Sequence, residues 1–448
     1  MMDLKNCFFA LLLLLAVWGV GATELTCSNP WEEVSNIVQS IDESKYDPMP
    51  PNQYGVYLLV GDAGGRKFFG KSSEQANLDD TTKIRIYSAS KWVASNLFLK
   101  VMRETKSFQL DDKVNEYIPW WTKNEDDPRS RVTFRHTLNF QTGWDAHSED
   151  ADCIQSSDVT LEECVRSEIY PSTLRKWEPG TTYSYGVTHM LIGGVALQYA
   201  TGREYMDLFK EYLIQHYSWS EDTTYFPSEQ NPRIPGGLII KGKEYEQLLA
   251  DTLTKSYLPR RFYAALETDY ILTNGAEVDY SPMPGFHYGL GNWIECGDSL
   301  LDPFEPSCAR LNSGIYSSAG GLGFYPWIDR TNEYYAIMGV VSYSNFPSLT
   351  SIQYGFDLKP AIERALQMQR RCTSSAQKTE AKKICRRACK TCGPDEQECN
   401  KACKIIKKCP TANSFASTCK RHLKQSNREV FRVYRKCCKM NEMNCLLV

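Results

Sequence analysis

The sequence predicts an α+β domain in which strands from the two ends of the chain share one antiparallel sheet around a largely helical middle. Three observations carry this. Apolar alternation opens the globular part at Tyr54 to Val60, helical spacing dominates from about 88 to 260, and β-branched and aromatic runs return after residue 320. The chain has 448 residues, 42% of them hydrophobic and 12% aromatic, enough for a sizeable core plus a smaller module.

Taken in order, residues 1–22 read as a secretory signal peptide. Lys5 supplies the positive charge, Phe8 to Val17 the short apolar core, and Val20-Gly21-Ala22 a small-residue cleavage site, so the mature chain is expected to start at Thr23 in an extracellular setting. No other stretch is long and apolar enough to span a bilayer. Tyr54 to Phe69 reads as a β-hairpin, with the turn at Gly61-Asp62-Ala63-Gly64-Gly65 and a return through Lys67-Phe68-Phe69. Helices follow at Ser88 to Arg103 and Val187 to Tyr199, then an amphipathic run after Gly202-Arg203-Glu204 as far as Tyr217. Gly321 to Ile328 and Tyr334 to Ser344 read as strands joined by the turn Asp329-Arg330-Thr331-Asn332. A last helix, about Ile352 to Arg370, closes a domain spanning 23–370.

Residues 371–448 form a distinct cysteine-rich module. They hold about 19 Lys and Arg against about 6 Asp and Glu, so a net charge of −3 for the chain hides a basic tail on an acidic body. Of 17 cysteines Cys7 lies in the signal segment, leaving an even set suited to disulfides in an oxidising compartment. Short spacing pairs Cys153 with Cys164 and Cys296 with Cys308, which leaves Cys27 to reach the tail. Cys385, Cys389, Cys399 and Cys403 flank Gly393-Pro394-Asp395, a pattern that suits two disulfides stapling a helical hairpin. Zinc is the competing reading of these cysteines, disfavoured by secretion and by the scarcity of Cys-x2-Cys pairs, so no metal is expected. The basic residues either solvate a small domain or attach it to an anionic surface such as a polysaccharide, lipid headgroups or an acidic protein. No specific nucleic-acid partner and no cofactor is expected.

The chemistry starts at Ser88-Ala89-Ser90-Lys91. A serine hydroxyl is a weak nucleophile at neutral pH, and a lysine one helical turn on can reach it by hydrogen bond. A helix N-terminus at Ser88 also favours developing negative charge. A second segment, Trp177 to Val187, contains Pro179-Gly180-Thr181 and Tyr185 and ends before a helix. With it the chain resembles the class C beta-lactamase-like serine hydrolases, a group that includes penicillin-binding proteins, D-aminopeptidases and beta-lactamase-like carboxylesterases. Pro179-Gly180-Thr181 matches the family's Pro-Gly-Thr, and Tyr185 falls on the tyrosine of its Tyr-x-Asn triplet, with Val187 in place of the asparagine. Val132-Thr133-Phe134-Arg135-His136 through Gln141-Thr142-Gly143, and Leu110-Asp111-Asp112-Lys113-Val114 before it, are similar to further family segments. The resemblance covers about residues 45–368.

It implies a beta-lactamase/transpeptidase-like fold with a helical subdomain, Ser88 as nucleophile, Lys91 as the cation that shares in proton transfer, and Tyr185 as proton relay. A phenol becomes a usable base near pH 7 only beside a cation, which Lys91 supplies. The family's third element, Lys-Thr-Gly or a variant, falls on Ser318-Ala319-Gly320. With serine at 318 the lysine that pairs with a penicillin carboxylate is missing, and Val187 in place of the asparagine points the same way, so beta-lactamase or carboxypeptidase activity is not expected. Tyr-x-Val also occurs in the beta-lactamase-like carboxylesterases, which tilts the substrate, a small-molecule or peptide-like ester or amide, towards uncharged esters. Ser318, Ala319, Gly320 and Gly321 are expected to line the site, with backbone near Gly320 and Gly321 giving one oxyanion N–H and Ser88 the other. The plain alternative for this glycine run is close packing in a sheet. No Gly-x-Ser-x-Gly or His-Glu-x-x-His occurs, and the six histidines are scattered. A second reading stays open: a catalytically silent member that serves as a secreted binding or matrix protein through its basic tail.

Overall fold

The computed structural model describes residues 29–43, 55–145, 151–172, 176–296, 314–342 and 347–390, with side chains as far as 372. The expected signal segment, Cys27, Cys308, Cys399, Cys403 and the rest of the tail lie outside the described residues. Two compact units are distinguished, and residues 31–363 form the larger one, described here.

Its elements run α1 (Glu32–Gln39), β1 (Tyr57–Asp62), β2 (Gly65–Lys71), β3 (Lys83–Arg85), α2 (Ser90–Thr105), α3 (Phe134–Asn139), α4 (Leu161–Cys164) and β4 (Thr182–Ser184). They continue with α5 (Thr188–Thr201), α6 (Tyr205–Phe209), β5 (Thr224–Tyr225), β6 (Leu238–Lys241), α7 (Gly242–Thr254), α8 (Arg260–Leu266) and α9 (Tyr270–Asn274). Next come β7 (Glu277–Tyr280), β8 (Phe286–Tyr288), β9 (Trp293–Glu295), β10 (Ile315–Ser317), β11 (Tyr325–Asp329) and β12 (Tyr334–Gly339), and then α10 (Pro347–Lys390), of which only the part up to Glu363 belongs to this unit. The main sheet has seven strands in the order β2-β1-β12-β11-β10-β9-β8. β1 pairs antiparallel with β12, Tyr57 opposite Gly339 and Asp62 opposite Tyr334, so the two ends of the domain do share one sheet.

β1 and β12 are apolar on both faces. Val56 to Val60 and Tyr334 to Met338 are all buried, as expected where helices cover each side of a sheet. The β1–β2 turn forms at Asp62, whose carboxylate accepts from Gly64 N at 2.7 Å, and the β11–β12 turn at Asp329, which accepts from Thr331 and Asn332 N at 2.8 Å each.

Three expectations need correction. The helical middle also carries two small sheets, β3-β6-β5 and the parallel pair β4-β7. These strands are two to four residues long, too short for alternation to announce them. The strand expected from Gly321 starts at Tyr325, because Gly320 to Phe324 close a turn: Gly320 N donates to Phe324 O and Gly323 N to Gly320 O, both at 2.8 Å. The last helix is longer than expected at both ends. It begins at Pro347, tolerates Pro360 inside, and runs unbroken past the expected boundary at 370 to Lys390, so Cys385 and Cys389 lie on its final turns.

Cys153 and Cys164 are joined by a disulfide, with their Cα atoms 5.2 Å apart. Asn231 Nδ2 braces the bridge, donating to Cys153 O at 2.8 Å and Ser156 O at 2.9 Å. Cys296 is disulfide-bonded as well, while its expected partner lies outside the described residues. Among the described residues no helix is long and apolar enough to cross a membrane.

Candidate active site

Helix α2 is buried nearly all round, from Ser90 to Met102, and threads the core. Ser88 does not open the α-helix itself; it sits in a single 3-10 turn, Tyr87–Ala89, that leads into it. The tightening has a visible cause. Ser90 Oγ donates back to Tyr87 O at 2.5 Å and accepts from Leu238 N at 3.1 Å, while Tyr87 takes a left-handed φ of 46°. The ring of Tyr87 lies under the Arg85 guanidinium, 4.5 Å from its centroid.

From this turn Ser88 and Lys91 meet. Lys91 Nζ donates to Ser88 Oγ at 2.9 Å and to Pro235 O at 2.9 Å, and its side chain is buried. A buried ammonium must be matched by acceptors or rings, and both are present. Lys91 Nζ stands 4.7 Å from the centroid of Tyr185 and 5.9 Å from that of Phe140. Tyr185 follows β4, and its N–H donates to Tyr280 O at 3.0 Å across to β7. Its ring is stacked on Trp293 at 5.0 Å and meets Phe140 edge-on at 5.3 Å. The structure thus brings Ser88, Lys91 and Tyr185 together from the turn before α2, α2 itself and the segment after β4, almost a hundred residues apart in sequence.

His189 fixes the segment that carries Tyr185. It is fully buried, Nε2–H donates to Ser184 O at 2.8 Å, and Nδ1 therefore accepts from Thr142 Oγ1 at 2.7 Å. Its imidazole pKa is pushed down to about 3, first by burial and then by the nearby Lys91 charge, against the pull of the Ser184 hydrogen bond. His189 is therefore a neutral brace in this site. His136 is likewise lowered, to about 4, chiefly by burial and then by Arg135.

Ser88, Lys91 and Tyr185 line one cavity of about 260 Å³. Val187, Met283 and Trp293 give it apolar walls, and Arg233 and Ser348 also border it. Of the four residues expected in the lining, Ala319 and Gly321 are there, and Ser318 and Gly320 serve the scaffold. Ser318 Oγ donates to Ser88 O at 3.2 Å, and its N–H donates to Pro326 O at 3.2 Å. Gly320 N is bonded to Phe324 O, so it is not available as an oxyanion donor. Glycine is needed at 320 for a different reason: a Cβ there would stand 2.1 Å from Ile86 O.

A larger cleft of about 610 Å³ lies elsewhere, bordered by Glu162, Tyr199, Arg203, Glu204 and Asp207. None of Ser88, Lys91 and Tyr185 borders it. Among the described residues no cluster of three or more His, Cys, Asp or Glu is arranged to hold a metal.

The sequence pattern of the beta-lactamase family matches residues 51–340, well over half of the chain. The chain belongs to the beta-lactamase family. Solved structures with the same fold include EstCE1, a hydrolase with promiscuous acyltransferase activity, at 17% identity, 75% coverage of this chain, 99% of that chain and a TM-score of 0.58. The octameric penicillin-binding protein homologue of Pyrococcus abyssi aligns at 16% identity, over 74% of this chain and 77% of that one, with a TM-score of 0.56. A D-stereospecific amidohydrolase from Streptomyces sp. aligns at 19% identity, over 71% and 97%, with a TM-score of 0.53. No curated protein sequence matches the chain.

Sequence reasoning missed Arg233, Trp293, Phe140 and His189. Each enters the site from a different element, and no local pattern marks a long-range neighbour of Ser88.

Proposed function

We propose that this member of the beta-lactamase family is a secreted serine hydrolase that cleaves an ester or amide through an acyl-enzyme on Ser88. The observation that carries the reading is the buried Lys91 ammonium 2.9 Å from Ser88 Oγ and 4.7 Å from the Tyr185 ring. Ser88 Oγ attacks the carbonyl carbon, and its proton passes through the Lys91–Tyr185 pair to the departing alkoxide or amine. Water then attacks the acyl-enzyme. The pair takes a proton from the water and returns one to Ser88 Oγ as the acid leaves, so the protons balance over the cycle.

Two N–H groups suit the oxyanion. One is that of Ser88. The other is that of Ala319, because Ser318 and Gly320 both donate towards β11 and alternation in an antiparallel ladder turns the intervening N–H the other way. Ser318, spent on the Ser88 carbonyl, offers nothing to a penicillin carboxylate, and we place the activity outside true beta-lactamases. The structural neighbours described as a hydrolase with promiscuous acyltransferase activity and a D-stereospecific amidohydrolase agree with acyl-transfer chemistry on this fold. The signal-like segment 1–22 and the Cys153–Cys164 disulfide favour export. Residues 371–448 are assigned to a basic module that attaches to an anionic surface.

A fluorophosphonate probe is expected to label Ser88, identified by mass spectrometry, with labelling abolished in Ser88→Ala and slowed at least about 100-fold in Lys91→Met. Equal labelling of Ser88→Ala would leave the silent binding-protein reading standing. Nitrocefin turnover is expected to be negligible. Expression in a secreting host should yield medium protein beginning at Thr23, and removal of 391–448 should abolish retention on a sulfated polysaccharide.

A further inference from the structure

We propose that the substrate of this site carries a carboxylate, and that Arg233 is the residue that selects for it. The inference rests on the acyl-transfer reading of Ser88. It revises the expectation of an uncharged ester, which followed from Ser318 and from Val187 in the Tyr-x-Val triplet.

Arg233 lines the cavity that Ser88, Lys91 and Tyr185 share, and it is held there by its own main chain. Its N–H donates to Phe226 O at 2.9 Å, and its carbonyl accepts from Gly236 N at 2.9 Å and Gly237 N at 2.6 Å. The turn admits no slack, since a Cβ at Gly237 would lie 2.3 Å from Phe226 O. The same turn presents Pro235 O to Lys91 Nζ at 2.9 Å. One short segment therefore contributes Arg233 to the cavity and the carbonyl that Lys91 uses beside the nucleophile.

Charge then decides the substrate class. The cavity is bordered by Lys91 and Arg233, and among the described residues by no Asp or Glu. Its other walls mix polar and apolar groups, and beside Trp293, Tyr185 and Met283 a charge pair is worth more than in bulk water. Lys91 is committed to Ser88 and Pro235. A guanidinium carries five N–H donors in a planar fork, so it can keep contacts within the protein and still present an edge to a carboxylate. A cationic substrate is repelled by this arrangement, and a neutral one makes no use of it. Because Ser318 faces the Ser88 carbonyl, the anionic group sits by the Arg233 turn and not where the family's missing lysine would hold it.

Three 4-nitrophenyl esters of matched length test this: the monoester of adipic acid, the hexanoate and the 6-aminohexanoate. The expected order of kcat/KM is anionic, neutral, cationic, with the first exceeding the second by about 10- to 100-fold, the range of a charge-assisted hydrogen bond. Arg233→Gln is expected to bring that ratio near one, Arg233→Lys to restore part of it, and high salt to shrink it. A wild-type ratio near or below one overturns the proposal, as does an Arg233→Gln that lowers both esters equally. Adipate binding to Ser88→Ala, read by tryptophan fluorescence, separates the two levels of inference. Arg233-dependent binding without turnover of any ester sustains the anion site and sinks the hydrolase reading. Ser88 labelling by fluorophosphonate with no adipate binding and no anionic preference does the reverse.

Discussion

Ser88 follows directly on Tyr87, whose left-handed backbone is an arrangement that costs a non-glycine residue about 1–3 kcal/mol. The neighbours that hold it there are specific, and Gly320 is one, its bare Cα allowing the β10–β11 turn to press on Ile86 O. Gly320→Ala is expected to push this backbone away, costing about 1–3 kcal/mol of stability and at least about tenfold in kcat. Gly321→Ala meets nothing within 4 Å and should leave the denaturation midpoint unchanged, which separates the two glycines in a single urea titration. His189 gives a second residue-scale outcome. Its folded pKa of about 3 lies below the ordinary value near 6.5, so the unfolded chain binds more protons between these limits. Its contribution is therefore complete above about pH 6.5 and declines by about 1.4 kcal/mol per pH unit as the solution is acidified towards 3. His189→Gln should show a shallower loss of stability between pH 6 and 4 than the wild type, and equal slopes would refute the buried neutral imidazole.

Among the elements, the join between α10 and the sheet stands out because it is ionic and buried. Lys359 on α10 pairs with Glu295 on β9, donates to Tyr325 OH at 2.7 Å, and Tyr325 OH in turn donates to Glu295 at 2.5 Å. Lys359 is 5% exposed and Glu295 1%, so removing one partner leaves the other charge without water. Lys359→Met alone is expected to destabilise by about 3–5 kcal/mol, and the double variant with Glu295→Met to recover most of that loss. A double-mutant cycle by chemical denaturation measures the difference. β9 also bears Trp293, against which Tyr185 is stacked, so the single variant should depress activity as well. The Cys153–Cys164 loop is a second fastening. By loop-closure entropy its reduction should cost about 2–3 kcal/mol, seen as a lower melting temperature in dithiothreitol.

For the molecule as a whole, what could be read from the sequence was whatever is local or periodic. The β1–β2 hairpin, the Asp329 turn and the helix from Thr188 all follow from neighbours in sequence, and Ser88 and Lys91 lie within one turn of each other. The resemblance placed Tyr185 beside them. Of the two glycines expected near the oxyanion, Gly320 has its N–H bonded to Phe324 O, because which N–H points outward depends on the pairing across the turn to β11. Arg233 and His189 gave no signal, since their roles exist only after distant segments pack. The pairing of β1 with β12 has a last consequence, in the order of synthesis. About 280 residues separate Tyr57 from Gly339, so a chain emerging from the ribosome makes β1 long before its partner exists. An apolar strand must wait through the whole helical middle with one edge unmatched. Nascent chains stopped before residue 334 are expected to remain protease-sensitive at β1 and to gain protection together once β12 is complete, making this domain a strong candidate for chaperone-assisted biogenesis.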